Sequence, residues 1–224
     1  MTMSTPPPET SSQIITMFAS LMLALQLLLA VQRMLITNVR LFAIQSLLLA
    51  AIAAVVGYAC NAWHIYLVAV LTVIGKVVFL PWLLARLVRR IKIEQEIRPF
   101  VNMPATMLIC GALTVLSCVV ARPFTSLERL GSNTLAVALA LMLTGFFLMI
   151  NRRKAITQVL ALLTMENGVM LAAIALTTYG MPLVVEIGVF LDVIVGVIVL
   201  GILVFRIRES FDSMDVSKLN ELKW

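Results

Sequence analysis

The chain falls into seven long apolar runs separated by short polar connections. Apolar runs of about 18 or more residues predict membrane-spanning helices, because at 1.5 Å per residue they cross a hydrocarbon core about 30 Å thick. They lie near 14–31, 41–60, 64–85, 103–121, 134–150, 155–178 and 183–205. Only Asn61, Ala62 and Trp63 separate the second and third runs, and Tyr179, Gly180, Met181 and Pro182 the sixth and seventh. Each of these pairs therefore reads as a tight helical hairpin. Pro182 suits the first turn of the last helix, where its missing N–H is not needed. Pro81 lies inside the third run and predicts a kink, or an early end to regular hydrogen bonding. The expected fold is all-α, a polytopic membrane protein of about seven transmembrane helices.

Composition agrees with this pattern. Of the 224 residues, 62% are hydrophobic and only 12% charged, and the mean hydropathy of +1.06 lies outside the range of soluble domains. A formal charge of +6 would suit a nucleic-acid binder if it formed one face. Instead the basic residues cluster in connections. Arg33 and Arg40 flank the first connection, Arg86, Arg89, Arg90, Lys92 and Arg98 fill the third, Arg152, Arg153 and Lys154 the fifth, and Arg206, Arg208, Lys218 and Lys223 the tail. The opposite side offers only Arg122 and Arg129, beside Glu128. By the positive-inside rule the N-terminus is expected outside and the C-terminus in the cytoplasm. The segment from Met1 to Gln13 carries Pro6, Pro7, Pro8 and Glu9 but no basic residue, so the first run reads as an uncleaved span rather than a signal peptide.

Three ionisable residues interrupt the apolar runs near mid-depth: Lys76, Glu166 and Asp192. A lone charge there costs roughly 2.5–3.5 kcal/mol on insertion scales, so such residues face protein, water or each other. From Lys76 to Arg86 is about 15 Å along the helix, too far for a lysine stem to snorkel. Lys76 must then meet a carboxylate or water, as part of a proton relay or of a structural ion pair. Glu166 sits within Thr164-Met165-Glu166-Asn167-Gly168, where Thr164 and Asn167 supply hydrogen bonds and Gly168 allows a close helix neighbour or a water. Asp192 lies about 14 Å into the last span, on one stripe with Gly188 and Gly196, so its carboxylate is expected at a close helix interface.

Other polar positions are more ambiguous. Glu186, one turn into the last span, is either a headgroup-facing residue or a place where protons enter. His64 lies with Trp63 and Tyr66 at the outer end of the third span. It belongs to an aromatic belt or takes up protons, since imidazole titrates near neutral pH. Gln26, Gln45, Ser46, Thr114, Ser117 and Thr144 are expected to hydrogen-bond between helices. Cys60, Cys110 and Cys118 form no CxxC and there is one histidine, so no thiolate or imidazole metal site is expected. Spans one to three and five to seven share a plan, a lone helix, a basic connection and a hairpin, which suggests a parallel duplication.

From about Asn133 to the C-terminus the chain resembles the three-helix K subunit of complex I and the C subunit of multisubunit cation/proton antiporters. The resemblance rests on Asn151-Arg152-Arg153-Lys154, on Leu162-Leu163-Thr164-Met165-Glu166-Asn167, on the last helix from Glu186 to Gly196, and on its exit Phe205-Arg206-Ile207-Arg208. It implies a horizontal proton path through one carboxylate on each of the last two helices, Glu166 and Asp192, with Asp standing where complex I has Glu. In length, added spans and the tail Phe211-Asp212-Ser213-Met214-Asp215, the chain is similar to the E component of hydrogenase-4. Lys76 has no counterpart in the three-helix subunits. Two parts are expected, residues 1–132 with four helices and residues 133–224 with three.

The implied function is that of a non-catalytic membrane-arm subunit in the bacterial inner membrane, contributing carboxylates to proton translocation. Its partners would be antiporter-like and complex I H-subunit-like membrane subunits, peripheral hydrogenase subunits and lipid, with no nucleic acid. No cofactor is expected in this chain, and [NiFe] and iron–sulphur clusters would reside in the partners. A subunit of a sodium/proton antiporter and a purely structural spacer are the alternatives.

Overall fold

The computed structural model describes residues 9–60, 63–91, 99–124 and 133–176. Helices α1 (Glu9–Val31) and α2 (Leu35–Cys60) form the first hairpin. The third span is composite: α3 (Trp63–Thr72), a π-helical segment (Val73–Phe79) and α4 (Leu80–Ile91). Then come α5 (Met103–Ala121), a 3₁₀ turn (Arg122–Phe124), α6 (Thr134–Asn151) and α7 (Ala155–Leu176). Among the described residues six helices are long and apolar enough to cross a membrane. The expected seventh span, 183–205, lies outside the described residues, and with it Glu186 and Asp192.

Three boundaries differ from the apolar pattern. At the end of the third span, α4 runs to Ile91 rather than near 85 and carries Arg86, Arg89 and Arg90 on its last turns. Helix α1 begins at Glu9 rather than near 14, and α2 at Leu35 rather than near 41. Polar residues such as Ser11 and Ser12 continue a helix without being apolar, so hydropathy alone underestimates its length. In α2 the early start is tied down by Asn38, whose Nδ2 donates to the carbonyl of Gln32 at 3.3 Å.

Pro81 acts in the third span as expected, by a specific route. It has no N–H to give the carbonyl four residues back, and its ring crowds that carbonyl. The turn before it widens, and Leu80 N–H bonds five residues back to the carbonyl of Gly75. Such π insertions occur mostly as local features and are frequent at functional sites. Lys76 is the buried residue of this segment.

The core lies where α1, α2, α6 and α7 meet. Ile15, Ala19 and Met22 of α1 pack with Leu49, Ile52 and Val56 of α2, Ala138 and Leu141 of α6, and Met170, Leu171 and Ile174 of α7. Helix α7 lies against both α6 and α2, α5 packs on α6 and α1, and the composite third span packs on α2. Small residues bring α6 and α7 together. A Cβ on Gly145 would stand 2.9 Å from the backbone of Met165, and one on Gly168 would stand 2.9 Å from the carbonyl oxygen of Ala138. Outward-facing side chains such as Ile74, Trp82, Leu108 and Val115 are apolar, as a hydrocarbon surround requires.

Three connections gather at one end of the bundle. Arg152, 4% exposed, donates from Nη2 to the carbonyls of Leu29 (2.9 Å), Ala30 (3.0 Å) and Gln32 (3.2 Å). Those of Leu29 and Ala30 are last-turn carbonyls that α1 itself leaves unpaired, Gln32 follows the helix end, and the cation complements the helix dipole there. Asn151 accepts the N–H of Val101 on Oδ1 at 2.8 Å and donates from Nδ2 to Thr106 at 3.1 Å. Arg153 stacks 4.2 Å from the centroid of Phe100. The connections after the first, third and fifth spans thus meet, which is the geometry that alternating spans require.

Candidate functional site

Five consecutive residues of α7 address four neighbours between them. At 3.6 residues per turn each step rotates about 100°, so the sequence Thr164 to Gly168 sweeps the whole circumference. Met165 and Gly168 face α6 through the close contacts at Gly145 and Ala138. Thr164 faces α1, where Gln26 Nε2 donates to its Oγ1 at 3.4 Å. Asn167 faces α2, donating from Nδ2 to Ser46 Oγ at 3.1 Å and to Gln45 Oε1 at 3.5 Å. Glu166 is left facing the π segment.

There it meets Lys76. The ammonium Nζ lies 3.6 Å from Glu166 Oε2, and the two residues are 4% and 6% exposed. Lys76 therefore does not snorkel to either surface. At 3.6 Å the contact is an ion pair but longer than a direct N–H···O hydrogen bond. Opposite unit charges at this range attract by roughly 4–5 kcal/mol at an effective dielectric near 20. That attraction offsets a desolvation penalty of several kcal/mol per ion. The pair is charge-balanced in its ionised form, and stays so if the lysine proton passes to the carboxylate.

The polar layer extends from this pair across the bundle. Gln45 donates from Nε2 to Gln26 Oε1 at 3.1 Å and to the carbonyl of Met22 at 3.4 Å. Thr164 donates to the carbonyl of Ala161 at 2.8 Å. Gln26, Gln45 and Ser46 thus bond between helices as expected. Thr114, Ser117 and Thr144 do not: their hydroxyls donate to the carbonyls of Cys110, Thr114 and Ala140 within their own helices. A hydroxyl in an apolar span finds its nearest acceptor one turn back, and no partner helix is needed.

His64 falls at the start of α3, on the order of 15–18 Å along the span from Lys76. Its side chain lies outside the described residues. Two groups escaped the sequence reading. Arg152 reads as a topology determinant and Asn151 only as part of the motif that carries the resemblance, whereas the fold uses them as a clasp from the end of α6 to α1 and α5. A basic residue directly after a helix can cap carbonyls, but the helix it caps here is distant in sequence. Among the described residues no three or more His, Cys, Asp or Glu side chains form a metal-binding group. Cys110 is buried and Cys118 exposed, both free thiols.

Among the described residues, six apolar spans and a buried lysine–carboxylate pair define a polytopic membrane protein that holds charge in its interior. Residues 133–224 match the family model of NADH-ubiquinone/plastoquinone oxidoreductase chain 4L. The chain is 30% identical over 216 residues to hydrogenase-4 component E of Escherichia coli strain K12, covering 96% of this chain and 99% of that protein. It is also 36% identical over 187 residues to an uncharacterized protein of Mycobacterium tuberculosis, covering 83% and 84%. No solved structure matches. The chain belongs to the hydrogenase-4 component E family.

Proposed function

We propose that this chain is a non-catalytic subunit of the membrane arm of a complex I-like hydrogenase, and that Glu166 and Lys76 carry part of a proton path through it. The observation that supports this reading is the buried pair itself. Two charges are kept near mid-depth on different spans, 3.6 Å apart, at a desolvation cost that a spacer helix would not need.

In this proposal Glu166 is the group that changes protonation. As a carboxylate it balances Lys76; once protonated it is neutral and releases the lysine. Because the two groups stand beyond direct hydrogen-bond reach, transfer between them requires either a closer approach or a bridging water. Each protonation changes the electrostatic balance of the π segment against α7, which gives a partner subunit something to sense. Asp192, the second carboxylate of the sequence pattern, is proposed as the next group along the path on that pattern alone.

The remaining parts of the proposal concern placement. The chain would lie in the bacterial inner membrane with its basic connections in the cytoplasm, the N-terminus outside and the C-terminus inside. Residues 1–132 would form a four-helix part and residues 133–224 a three-helix part. Redox chemistry, nickel and iron–sulphur clusters would belong to peripheral partners; the Escherichia coli relative is itself named as one component of a hydrogenase.

The test is Glu166→Gln in the assembled complex, assayed in inverted membrane vesicles. Electron transfer should continue while coupled proton uptake is lost. A proton-to-electron ratio equal to the parent's would reject the relay and leave the structural-spacer reading, which predicts silent neutral substitutions.

A further inference from the structure

The hydrogen bonds around Asn167 and Thr164 close on themselves. Asn167 donates to Gln45, Gln45 to Gln26, and Gln26 to Thr164. Thr164 and Asn167 lie one turn apart on the same face of α7, so the circuit runs from α7 to α2, to α1 and back to α7. All four side chains are buried, at 0–1% exposure.

This ring is not a conductor. A carboxamide is neutral at ordinary pH, and its two N–H groups and carbonyl oxygen donate and accept hydrogen bonds without a proton to hand on. Three of the ring's four side chains are amides and the fourth, Thr164, joins it through the amide of Gln26, so a proton does not cross it by the route available to Glu166. What the ring can do is fix geometry. It grips α7 at two heights on one face, through Thr164 and Asn167, and so constrains both rotation and axial position. The grip is firmest at Asn167, where the bond to Ser46 is 3.1 Å, and looser at the 3.4 and 3.5 Å bonds to Gln26 and Gln45. On the other flank the absence of side chains at Gly145 and Gly168 lets α6 press against α7. Held from both flanks, α7 has one orientation left, and in that orientation Glu166 faces Lys76.

We propose that Gln26, Gln45, Ser46, Thr164 and Asn167 are positioning residues that aim Glu166 at Lys76. The proposal rests on the relay reading of the pair. A turn of α7 by one residue step, about 100°, would carry the carboxylate away from an ammonium that at 3.6 Å already needs a closer approach or a bridging water for transfer. The same five residues also make the pair's separation a property of three helices at once. A displacement of α1 or α2 by a neighbouring subunit would be transmitted to Glu166 through the ring.

The experiment compares Thr164→Val, Thr164→Ser and Gln45→Leu in the assembled complex in inverted vesicles, reading proton uptake per electron across a pH series. Thr164→Val keeps the shape of the side chain and removes the hydroxyl, so it disturbs folding least. Thr164→Val and Gln45→Leu should lower coupled proton movement about tenfold and displace its pH profile, since misplacing a positioned group by about 1 Å costs on the order of 10²-fold. Thr164→Ser, which keeps the hydroxyl, should return within about twofold of the parent. Ser46→Ala gives the same reading if Gln45→Leu lowers assembly. Parental rates and pH profiles in Thr164→Val and Ser46→Ala overturn the proposal. Glu166→Gln, run alongside, separates the two claims: if it blocks proton uptake while the ring variants behave as parent, the relay stands and the positioning role falls. If it pumps normally, the relay itself is rejected.

Discussion

The Lys76 ammonium stands 3.6 Å from the Glu166 carboxylate, with both residues withdrawn from the outer surface. Each is the other's charge balance, so the two should be coupled energetically as well as spatially. Removing one partner of a buried pair typically costs about 3–5 kcal/mol, whereas replacing both by apolar residues of similar size is often close to neutral. Lys76→Met and Glu166→Leu should each destabilise the purified chain in detergent by amounts in that range, and the double variant by less than either. Additive losses would mean that the pair does not interact in the folded protein.

Four glycines separate packing from backbone effects. Gly145 and Gly168 leave no room for a Cβ, with Met165 backbone and the Ala138 carbonyl at 2.9 Å. Gly145→Ala and Gly168→Ala should each cost about 1–3 kcal/mol through forced helix displacement. At Gly75 and Gly111 nothing lies within 4 Å of the added carbon. Gly111→Ala, in regular helix, should be neutral or raise stability by about 0.4–1 kcal/mol through the unfolded state. Thermal unfolding in one detergent ranks the set; equal losses at Gly145 and Gly111 would contradict the close packing of α6 on α7.

Arg152 makes a different kind of contribution. Its guanidinium serves the carbonyls of Leu29, Ala30 and Gln32 together. Arg152→Ala leaves those carbonyls and should cost about 1.5–3 kcal/mol, the worth of hydrogen bonds to a charged group. Arg33 is exposed, and Arg33→Ala should stay within about 0.5 kcal/mol of the parent. Both remove one positive charge from the same end of the bundle, Arg33 from the first connection and Arg152 from the fifth. A topology determinant alone would make the two substitutions equivalent, so unequal unfolding midpoints identify the clasp.

How much of this was legible in the sequence depends on range. The spans, the mid-depth of Lys76 and Glu166, and the close approach at Gly168 follow from local composition, because a bilayer punishes every unpaired polar group. Pro81 announced a disturbance of the third span, but not that it takes the form of a π segment carrying Lys76. The pairing of Lys76 with Glu166 was not legible, since matching depth places two residues in one layer without saying which helix faces which. Arg152 was read through its charge, and its use as a cap for α1 depends on a contact no local pattern reports. Thr114, Ser117 and Thr144 failed in the opposite sense. Their own backbone supplied an acceptor, so the expected interhelical partners were unnecessary.

Pro81 provides the last test, because it lies five residues beyond Lys76 and carries no polar side chain of its own. In Pro81→Ala the restored N–H can bond four residues back, which favours regular α-helix over the π segment. Removing the π widening rotates the residues on one side of it relative to the other by as much as a residue step, about 100°. Lys76 lies within the segment, so its aim at Glu166 should be lost even though backbone hydrogen bonding improves. The consequence is measurable as coupling: Glu166→Gln should destabilise the Pro81→Ala background by about 1 kcal/mol or more less than it destabilises the parent. If Glu166→Gln costs the same in both backgrounds, the π segment does not hold Lys76 in place, and the lysine must be aimed by α2 instead.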